Sequence, residues 1–197
     1  MAQQAGRRGA DRRRDLIDAA YQRLARDGFE GLRTRDVAAD AGVNIATLHY
    51  YFPTKEALIR GVIGYVMQRF TETMPEHGAP DEQIVRHLRR LARLLRTEPE
   101  LWAVMGELVL RAPRDANLER IFRETDAYWH RSLRGLLSAA IDQGLIDPPL
   151  DADGMAMLMI AAIKGVSLPT VSGFSPDIAN QLFQHFERLL GLWNSEG

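Results

Sequence analysis

Apolar positions recur every three or four residues along most of this 197-residue chain, which is the spacing of one face of an α-helix. The first apolar stripe comprises Leu16, Ile17, Ala20, Tyr21 and Leu24. It predicts a helix over residues 11–27, with Gly28 as the residue that ends it. No run of alternating, β-branched residues indicates a strand. The pattern therefore predicts an all-α protein.

Two short helices are predicted after the first one. Thr34 is expected to cap a helix that Gly42 stops. Asn44 is expected to cap the next helix, which ends near Phe52 because Pro53 disfavours a helical conformation at the residue before it.

Longer helices are predicted in the rest of the chain. A helix over 54–74 carries apolar residues on more than one face, which predicts packing against two partners. The segment 75–82 contains two prolines and a glycine, and we place the domain junction around it. The remaining helices are predicted over about 81–96, 99–111, 115–143, 151–171 and 176–193.

Composition excludes several classes of site. The chain has no cysteine, which rules out disulfides, thiolate catalysis and most structural zinc sites. Its N-terminus lacks an apolar signal region, and no stretch approaches the roughly 20 apolar residues of a membrane helix. We therefore expect a cytoplasmic protein with no membrane partner. The histidines His77, His87, His130 and His185 lack metal-ligand spacing and are assigned to surfaces or satisfied packing, so we expect no metal and no cofactor.

Charge is distributed unevenly along the chain. Residues 1–60 carry eleven Lys or Arg against eight Asp or Glu, whereas the remainder carries fourteen against eighteen. A weakly basic N-terminal part is compatible with a polyanionic partner, which the acidic remainder would repel.

The two short helices have the layout of a helix-turn-helix. In this layout Ala38 must be small so that the helices cross closely, Gly42 makes the turn, and Leu48 anchors the second helix. The second helix would lie in the major groove of DNA with its exposed N-terminal side chains at base edges.

Residues 33–63, RTRDVAADAGVNIATLHYYFPTKEALIRGVI, resemble the DNA-binding domain of TetR-family transcriptional regulators. The resemblance rests on the predicted cap Thr34 and on the motifs V-A-x-x-A-G-V, T-L-x-x-Y-F and K-E-A-L. It extends over about residues 12–60. It implies a three-helix DNA-binding domain over 11–56 and a ligand-binding and dimerisation bundle over 57–197, connected by the helix 54–74. Residues 1–10 are expected to form a disordered basic tail.

The resemblance also implies which residues contact double-stranded DNA. The predicted base contacts are Ile45, Ala46 and Thr47. The predicted phosphate contacts are His49, Tyr51 and Lys55. Thr34 and Arg35 are expected to contact either the DNA backbone or base edges. Asn44 and Tyr50 complete the predicted DNA-binding surface. His49 replaces the tyrosine usual in this family and Ala46 a common glycine, while Ile45 is expected to pack on a thymine methyl group.

Some N-terminal and aromatic residues have alternative roles. The arginines Arg7, Arg8, Arg12, Arg13 and Arg14 fit either an arm in the minor groove or a solvated tail. Phe52 is expected in the core, and Tyr50 partly so.

A mainly apolar small-molecule site is predicted in the C-terminal bundle, although the same residues also fit a filled core. The predicted site residues are Trp102, Met105, Glu107, Leu108, Arg111, Tyr128, Trp129, Met155, Met159 and Lys164.

The last two helices carry apolar stripes that fit a two-fold, four-helix interface or the core of a single protomer. The predicted interface residues are Ile163, Val166, Ile178, Leu182, Phe186, Leu189 and Trp193. Because helix-turn-helix proteins commonly read paired half-sites, we favour a homodimer on an inverted repeat.

These features together favour a non-enzymatic, ligand-responsive DNA-binding regulator, by resemblance a repressor that a small hydrophobic or amphipathic molecule releases from its operator. One alternative is an all-α enzyme with a hydrophobic substrate, for which Glu107 with His130 is the best available acid–base pair. Another is a helical protein-interaction module, whose binding would lack the steep salt dependence of phosphate contacts.

Overall fold

A computed structural model of the chain describes residues 2–166 and 176–192, with side chains over 9–166 and 181–192. These described residues form nine α-helices and a 3₁₀ turn at Ala112–Arg114, and they contain no strand. The helices are α1 Ala2–Gly31, α2 Thr34–Asp40, α3 Ile45–Tyr51, α4 Lys55–Thr71, α5 Pro80–Thr97, α6 Pro99–Arg111, α7 Ala116–Asp142, α8 Ala152–Val166 and α9 Pro176–Leu189. The prediction of an all-α fold is confirmed.

Helix α1 differs most from its predicted bounds. It begins at Ala2 and not at residue 11, so residues 2–10 extend the helix instead of forming the predicted disordered tail. Seven of these nine residues are alanine, glutamine or arginine, which have high helix propensity, and no proline interrupts the stretch, so the helix continues through Gly6 and Gly9. Gly28 interrupts the regular helix as predicted, because its backbone lies at φ 64° and ψ −170°.

Helix α2 begins one residue away from the predicted position. Arg33 is the N-cap residue, with φ −103° and ψ 128°, and its carbonyl accepts from the amides of Asp36 and Val37. Thr34 is therefore the first helical residue and not the cap. The predicted end of the helix over 151–171 lies outside the described residues, which stop at Val166 in this region.

The first hydrophobic core joins the helix-turn-helix to the rest of the chain. It contains Leu16, Leu24, Leu48, Phe52, Leu58, Val62, Leu101, Val104 and Leu108, among others. Gly61 lets α4 approach α1 and α3 closely, because a Cβ atom there would lie 3.1 Å from Phe52 and 3.2 Å from Ile17. Apolar burial is thus continuous across the predicted boundary at residue 56, and the domain division stays a prediction.

Polar contacts hold α2 against α1. The Arg23 guanidinium donates to both carboxylate oxygens of Asp40, at 2.6 and 3.1 Å. It also lies 3.5 Å from the carboxylate of Asp36. Between α2 and α3, Gly42 adopts φ 64°, a left-handed conformation that residues with a side chain rarely occupy. The ion pairs fix α2 against α1, and the turn at Gly42 sets the direction in which α3 follows α2.

The second hydrophobic core is formed by α5, α7, α8 and α9. Its fully buried members include Ile84, Leu88, Leu133, Leu137, Ala140, Met155 and Met159. Arg89 of α5 donates two hydrogen bonds to Glu187 of α9, at 3.0 and 3.1 Å, which ties the last helix to the bundle. No helix within the described ranges combines the length and the apolarity needed to cross a membrane.

Candidate functional site

Helix α3 presents one exposed face, and this face contains most of the predicted base contacts. Tyr50 is 80% exposed. Ile45, Ala46 and His49 are also exposed, whereas Leu48 is fully buried beneath them. The period of the helix places these exposed side chains on the solvent side because Leu48 anchors the opposite side.

The start of α3 is held by its predicted cap. The Asn44 side-chain oxygen accepts from the Thr47 amide at 2.8 Å and from the Thr47 hydroxyl at 2.9 Å. Asn44 is therefore the N-cap, as predicted. Because the Thr47 hydroxyl donates inside the protein, it offers only an acceptor to a base edge.

Two of the three predicted phosphate contacts, Tyr51 and Lys55, are less accessible than expected. Tyr51 is half-buried, with its ring 5.1 Å from that of Tyr50 in an edge-to-face contact. The Lys55 ammonium donates to the Phe29 carbonyl at 3.3 Å and so lies at the C-terminal end of α1. Arg13 lies with its guanidinium 5.0 Å from the centre of the Phe52 ring. The phosphate roles of Tyr51 and Lys55 stay predictions.

An aromatic cavity of about 310 Å³ lies among α4, α5, α6, α7 and α8. Its lining is mostly apolar and includes Met67, Phe70, Met74, Leu91, Trp102, Met105, Val109, Phe122, Tyr128, Trp129 and Ile163. Three charged residues, Glu119, Asp126 and Lys164, also line it. Methionines and aromatic rings form adaptable apolar walls, which is typical of sites for small organic molecules.

The structure places five of the ten predicted ligand-site residues at this cavity. They are Trp102, Met105, Tyr128, Trp129 and Lys164. Sequence reasoning missed the contribution of α4 and the segment after it, which supply Met67, Phe70, Thr73 and Met74. Apolar residues on more than one face of the helix predicted over 54–74 indicated that this helix packs against a second part of the protein.

The other five predicted ligand-site residues do not line the cavity. On α6, the lining positions 102, 105 and 109 share one face, and Glu107, Leu108 and Arg111 lie off it. Glu107 accepts from the Phe29 amide at 3.4 Å, the Arg111 guanidinium lies 4.6 Å from the Phe29 ring, and Leu108 is in the first core. Met155 and Met159 are fully buried in the second core.

The predicted acid–base pair is not assembled. Glu107 contacts α1, whereas His130 lies beside Asp153 of α8 at 3.5 Å, and neither lines the aromatic cavity. Within the described ranges, no group of three His, Asp or Glu residues is placed to hold a metal ion.

His87 forms a buried hydrogen-bond chain in the cavity wall. Trp129 donates its indole N–H to His87 Nε2 at 2.9 Å, so the ring proton resides on Nδ1, which lies 3.1 Å from the Thr73 hydroxyl. Thr73 in turn donates to the Phe70 carbonyl at 2.6 Å. The prediction of satisfied packing is correct for this histidine. Burial lowers the pKa of His87 from 6.5 to about 4.

We expect the free energy of unfolding to fall between pH 6.5 and pH 4 because of His87. Its pKa is lower in the folded state than in the unfolded state, so the neutral ring contributes fully above pH 6.5 and loses its contribution towards pH 4. A difference of about 2.5 pKa units corresponds to roughly 3 kcal/mol. Urea unfolding at pH 7 and pH 4.5 measures this loss. Glutamine retains a donor and an acceptor, so His87→Gln should reduce the loss; an unchanged loss contradicts the assignment.

Trp102 leaves one polar group of the cavity wall without a partner. Its side chain is 5% exposed, and its indole Nε1 has no hydrogen-bond partner among the described residues. A buried donor left in this state costs about 1–3 kcal/mol. This nitrogen has almost no accessible surface, so it is enclosed by the protein and does not face the open space of the cavity.

The predicted dimer residues divide into buried and exposed groups. Ile163, Val166 and Phe186 are buried within the protomer, on the inner sides of α8 and α9, and their role in an interface stays a prediction. Leu182 is half-buried and Leu189 is exposed. Ile178 and Trp193 lie outside the described side chains. The exposed apolar side chains on α8 are instead Met157 and Leu158.

Two family models match the chain. Residues 16–62 match the N-terminal domain of bacterial regulatory proteins of the tetR family. Residues 80–191, more than half of the chain, match the C-terminal domain of BetI-type transcriptional repressors.

Individual proteins agree with these matches. The nicotine-responsive transcriptional repressor HdnoR of Paenarthrobacter nicotinovorans is 32% identical over 79 residues, which cover 39% of this chain and 41% of that protein. The transcriptional regulator BetI of Agrobacterium fabrum is 26% identical over 159 residues, covering 79% of this chain and 74% of that protein.

A solved structure has the same fold. The crystal structure of a TetR transcription regulator from Haloarcula marismortui superposes with a TM-score of 0.83 at 22% identity, covering 92% of this chain and 97% of that one. Sequence and fold agree: the chain belongs to the TetR family of transcriptional regulators.

Proposed function

We propose that this DNA-binding regulator is a repressor and that a mainly apolar small molecule, bound in the aromatic cavity, releases it from its operator. TetR-family regulators are not enzymes, so the cavity is interpreted as a regulatory site. The observation that carries the proposal is the position of α4, which contacts the DNA-binding helices at one end and lines the cavity at the other.

The N-terminal half of α4 is packed into the helix-turn-helix. Leu58 and Val62 are fully buried in the first core, and Gly61 meets Phe52 at the end of α3. Tyr65 makes an edge contact with Tyr21 of α1, with ring centres 5.3 Å apart. A displacement of α4 would therefore be transmitted to α3, since closely packed contacts leave little room for independent motion.

The C-terminal half of α4 forms part of the cavity wall. Met67, Phe70 and Thr71 line it directly, and Phe70 makes an edge contact with Trp102 of α6 at 5.1 Å between ring centres. A ligand acts on the DNA-binding surface only if its affinity differs between two positions of these helices. Release then follows if the conformation that binds the ligand more tightly spaces the two reading helices wrongly for the operator.

Helix α6 offers a second connection between the cavity and the reading head. Trp102, Met105 and Val109 line the cavity from one face, whereas Glu107 and Arg111 contact Phe29 at the end of α1. The Phe29 carbonyl also accepts from Lys55 at the start of α4. This cluster supports the proposal because cavity-lining and DNA-binding helices meet at one residue.

The proposed DNA surface is the exposed face of α3 with the start of α2. Ile45, Ala46, His49 and Tyr50 are proposed to approach the groove, together with Arg35. Hydroxyl, imidazole and backbone donors suffice for phosphate contacts, so the surface needs few formal charges.

We propose a homodimer that pairs α8 and α9 with their symmetry mates. Met157 is 54% exposed, Leu158 43% and Leu189 39%, so both of these helices carry large apolar side chains open to solvent. A two-fold axis would bury this patch against itself and place two α3 helices on an inverted repeat.

Selection of DNA tests the proposed function. Random and genomic duplexes are selected by the purified chain at near-physiological salt, with Tyr50→Ala as the comparison. Recovery of an inverted repeat that the variant loses supports the proposal, and the half-site spacing reports the dimer. Absence of any enrichment by the folded protein would overturn it.

A further inference from the structure

The first half of α1 lies beside the end of the reading helix α3. A Cβ atom built at Gly9 would lie 3.7 Å from the Tyr51 hydroxyl oxygen, so the backbone of α1 passes close to this side chain. One turn later, the Arg13 guanidinium lies 5.0 Å from the centre of the ring of Phe52, the C-cap residue of α3. Tyr51 in turn meets the exposed Tyr50 edge to face. The start of α1 is therefore continuous with the proposed DNA surface.

The two flanks of α1 face different parts of the protein. Arg23 lies on one flank and binds Asp40 of α2. Tyr21 lies on the other and makes an edge contact with Tyr65 of α4. The first flank therefore faces the helix-turn-helix, and the second faces the helix that leads to the cavity.

Exposed arginines occur on both flanks near the start of α1. Because a helix turns by about 100° per residue, Arg12 shares the flank of Arg23, and Arg14 shares the flank of Tyr21. Both arginines are exposed, and neither forms a hydrogen bond or an ion pair with another residue whose side chain is described. An unpaired guanidinium can bind a phosphate oxygen without first losing a partner within the protein.

The acidic side chains of this part of α1 lie away from the reading helix. Asp11, Asp15 and Asp18 are separated by four and three residues, so they share one face. Roughly 160° separates this face from Arg13, which contacts Phe52 at the end of α3. A polyanion beside α3 therefore meets the basic side of the helix before its acidic face.

The helical conformation determines which part of DNA these arginines can reach. Helix α1 begins at Ala2, so Arg12 lies within a continuous helix and not on an extended arm. A helix with its side chains is about 10–12 Å across, whereas the minor groove of B-form DNA is about 6 Å wide. The helix is therefore too wide to enter the minor groove, and an arginine on its flank reaches the phosphates at the edge of a groove instead.

We propose that the first half of α1 is a further DNA-contacting element, in which Arg12 binds a backbone phosphate beside the groove that α3 reads. This inference rests on the proposed function because it extends the same DNA surface. Phosphate contacts fix the position of a protein on the duplex and carry no sequence information. Arg12 therefore contributes to affinity and orientation and not to the choice of operator.

Replacement of single arginines by glutamine tests the assignment. The full chain and its variants are titrated into a labelled random-sequence duplex at several salt concentrations. We expect Arg12→Gln to bind about fivefold more weakly at near-physiological salt, and its plot of log affinity against log salt concentration to be shallower by about one. The selected operator should lose the same factor, because the lost contact is to a phosphate.

Arg14→Gln is the matched control, because it removes the same charge from an exposed position on the flank that faces α4. Its affinity should stay within about twofold of the original, with an unchanged salt dependence. Equal losses in the two variants would show an effect of net charge alone and overturn the inference. An unchanged salt dependence in Arg12→Gln would overturn it as well, and so would a loss confined to A·T-rich duplexes, which indicates an arm in the minor groove.

The same titrations separate this inference from the proposed function. If Arg12→Gln weakens binding to random duplexes as expected but the full chain selects no operator, the inference stands and the proposed function fails. If an operator is selected and Arg12→Gln binds it with the original salt dependence, the proposed function stands and the inference fails. Absence of salt-dependent binding to any duplex would overturn both.

Discussion

A variant carrying His49→Ala and Tyr50→Ala is expected to bind the selected operator about a hundredfold more weakly than the unmodified chain. Both side chains lie on the exposed face of α3, and Tyr50 is 80% exposed. Each lost contact to a phosphate or a base edge is worth roughly 1–2 kcal/mol, and two such contacts give a factor of about 100. Fluorescence anisotropy of a labelled operator duplex measures the change.

Thermal unfolding shows whether this loss comes from the surface or from the fold. Leu48 and Phe52 still anchor α3, so the melting temperature of the double variant should stay within a few degrees of the original. Tyr128→Ala is a matched control, because this tyrosine is also exposed but lies at the cavity on α7. Unchanged operator affinity in the double variant would show that the exposed face of α3 is not the reading surface.

Gly61→Leu is expected to destabilise the protein by at least about 2 kcal/mol and to abolish operator binding. A Cβ atom at this position would lie 3.1 Å from Phe52 and 3.2 Å from Ile17, and both neighbours are buried. Overpacking of a core costs roughly 1–3 kcal/mol, and the remaining leucine atoms add further clashes. Because Phe52 is the C-cap residue of α3, the side chain that must move is one that anchors the end of the reading helix.

Gly64→Leu supplies the control on the same helix. No atom lies within 4 Å of a Cβ built at Gly64, which is exposed, so leucine there meets no obstacle. It should raise stability by up to about 1 kcal/mol, because leucine has a higher helix propensity than glycine. Chemical denaturation of both variants measures the contrast, and equal effects at the two sites would contradict the close approach of α4 to α1 and α3.

The helix-turn-helix was predictable because its determinants are local. Asn44 caps α3 and Gly42 makes the turn at positive φ, and both roles depend on residues within four positions in the chain. The start of α2 was misplaced by one residue, since Arg33 has no side-chain oxygen to mark it as a cap and Thr34 does. Local sequence signals therefore located these helices well and their ends less well.

The cavity was predictable only in part. The spacing of apolar residues on α6 identifies an apolar face but does not show which helix or cavity that face contacts. Glu107, Leu108 and Arg111 were therefore predicted at the cavity, although they lie on the faces of α6 that point away from it. Met155 and Met159 have the composition expected of a pocket wall, yet they fill the second core. The unpaired donor of Trp102 has no counterpart in the sequence, because hydrogen-bond satisfaction depends on neighbours distant in the chain.

The sequence by itself determined the helical class, the order of the helices and the reading motif, because periodicity, caps and turns act over a few residues. Tertiary structure alone decided that Gly61 is a contact point, that α4 joins the reading head to the cavity, and that Ile163 and Phe186 are internal. These features depend on how helices far apart in the chain pack against each other, and one apolar stripe fits a core, a cavity wall or an interface equally well until its partner helix is known.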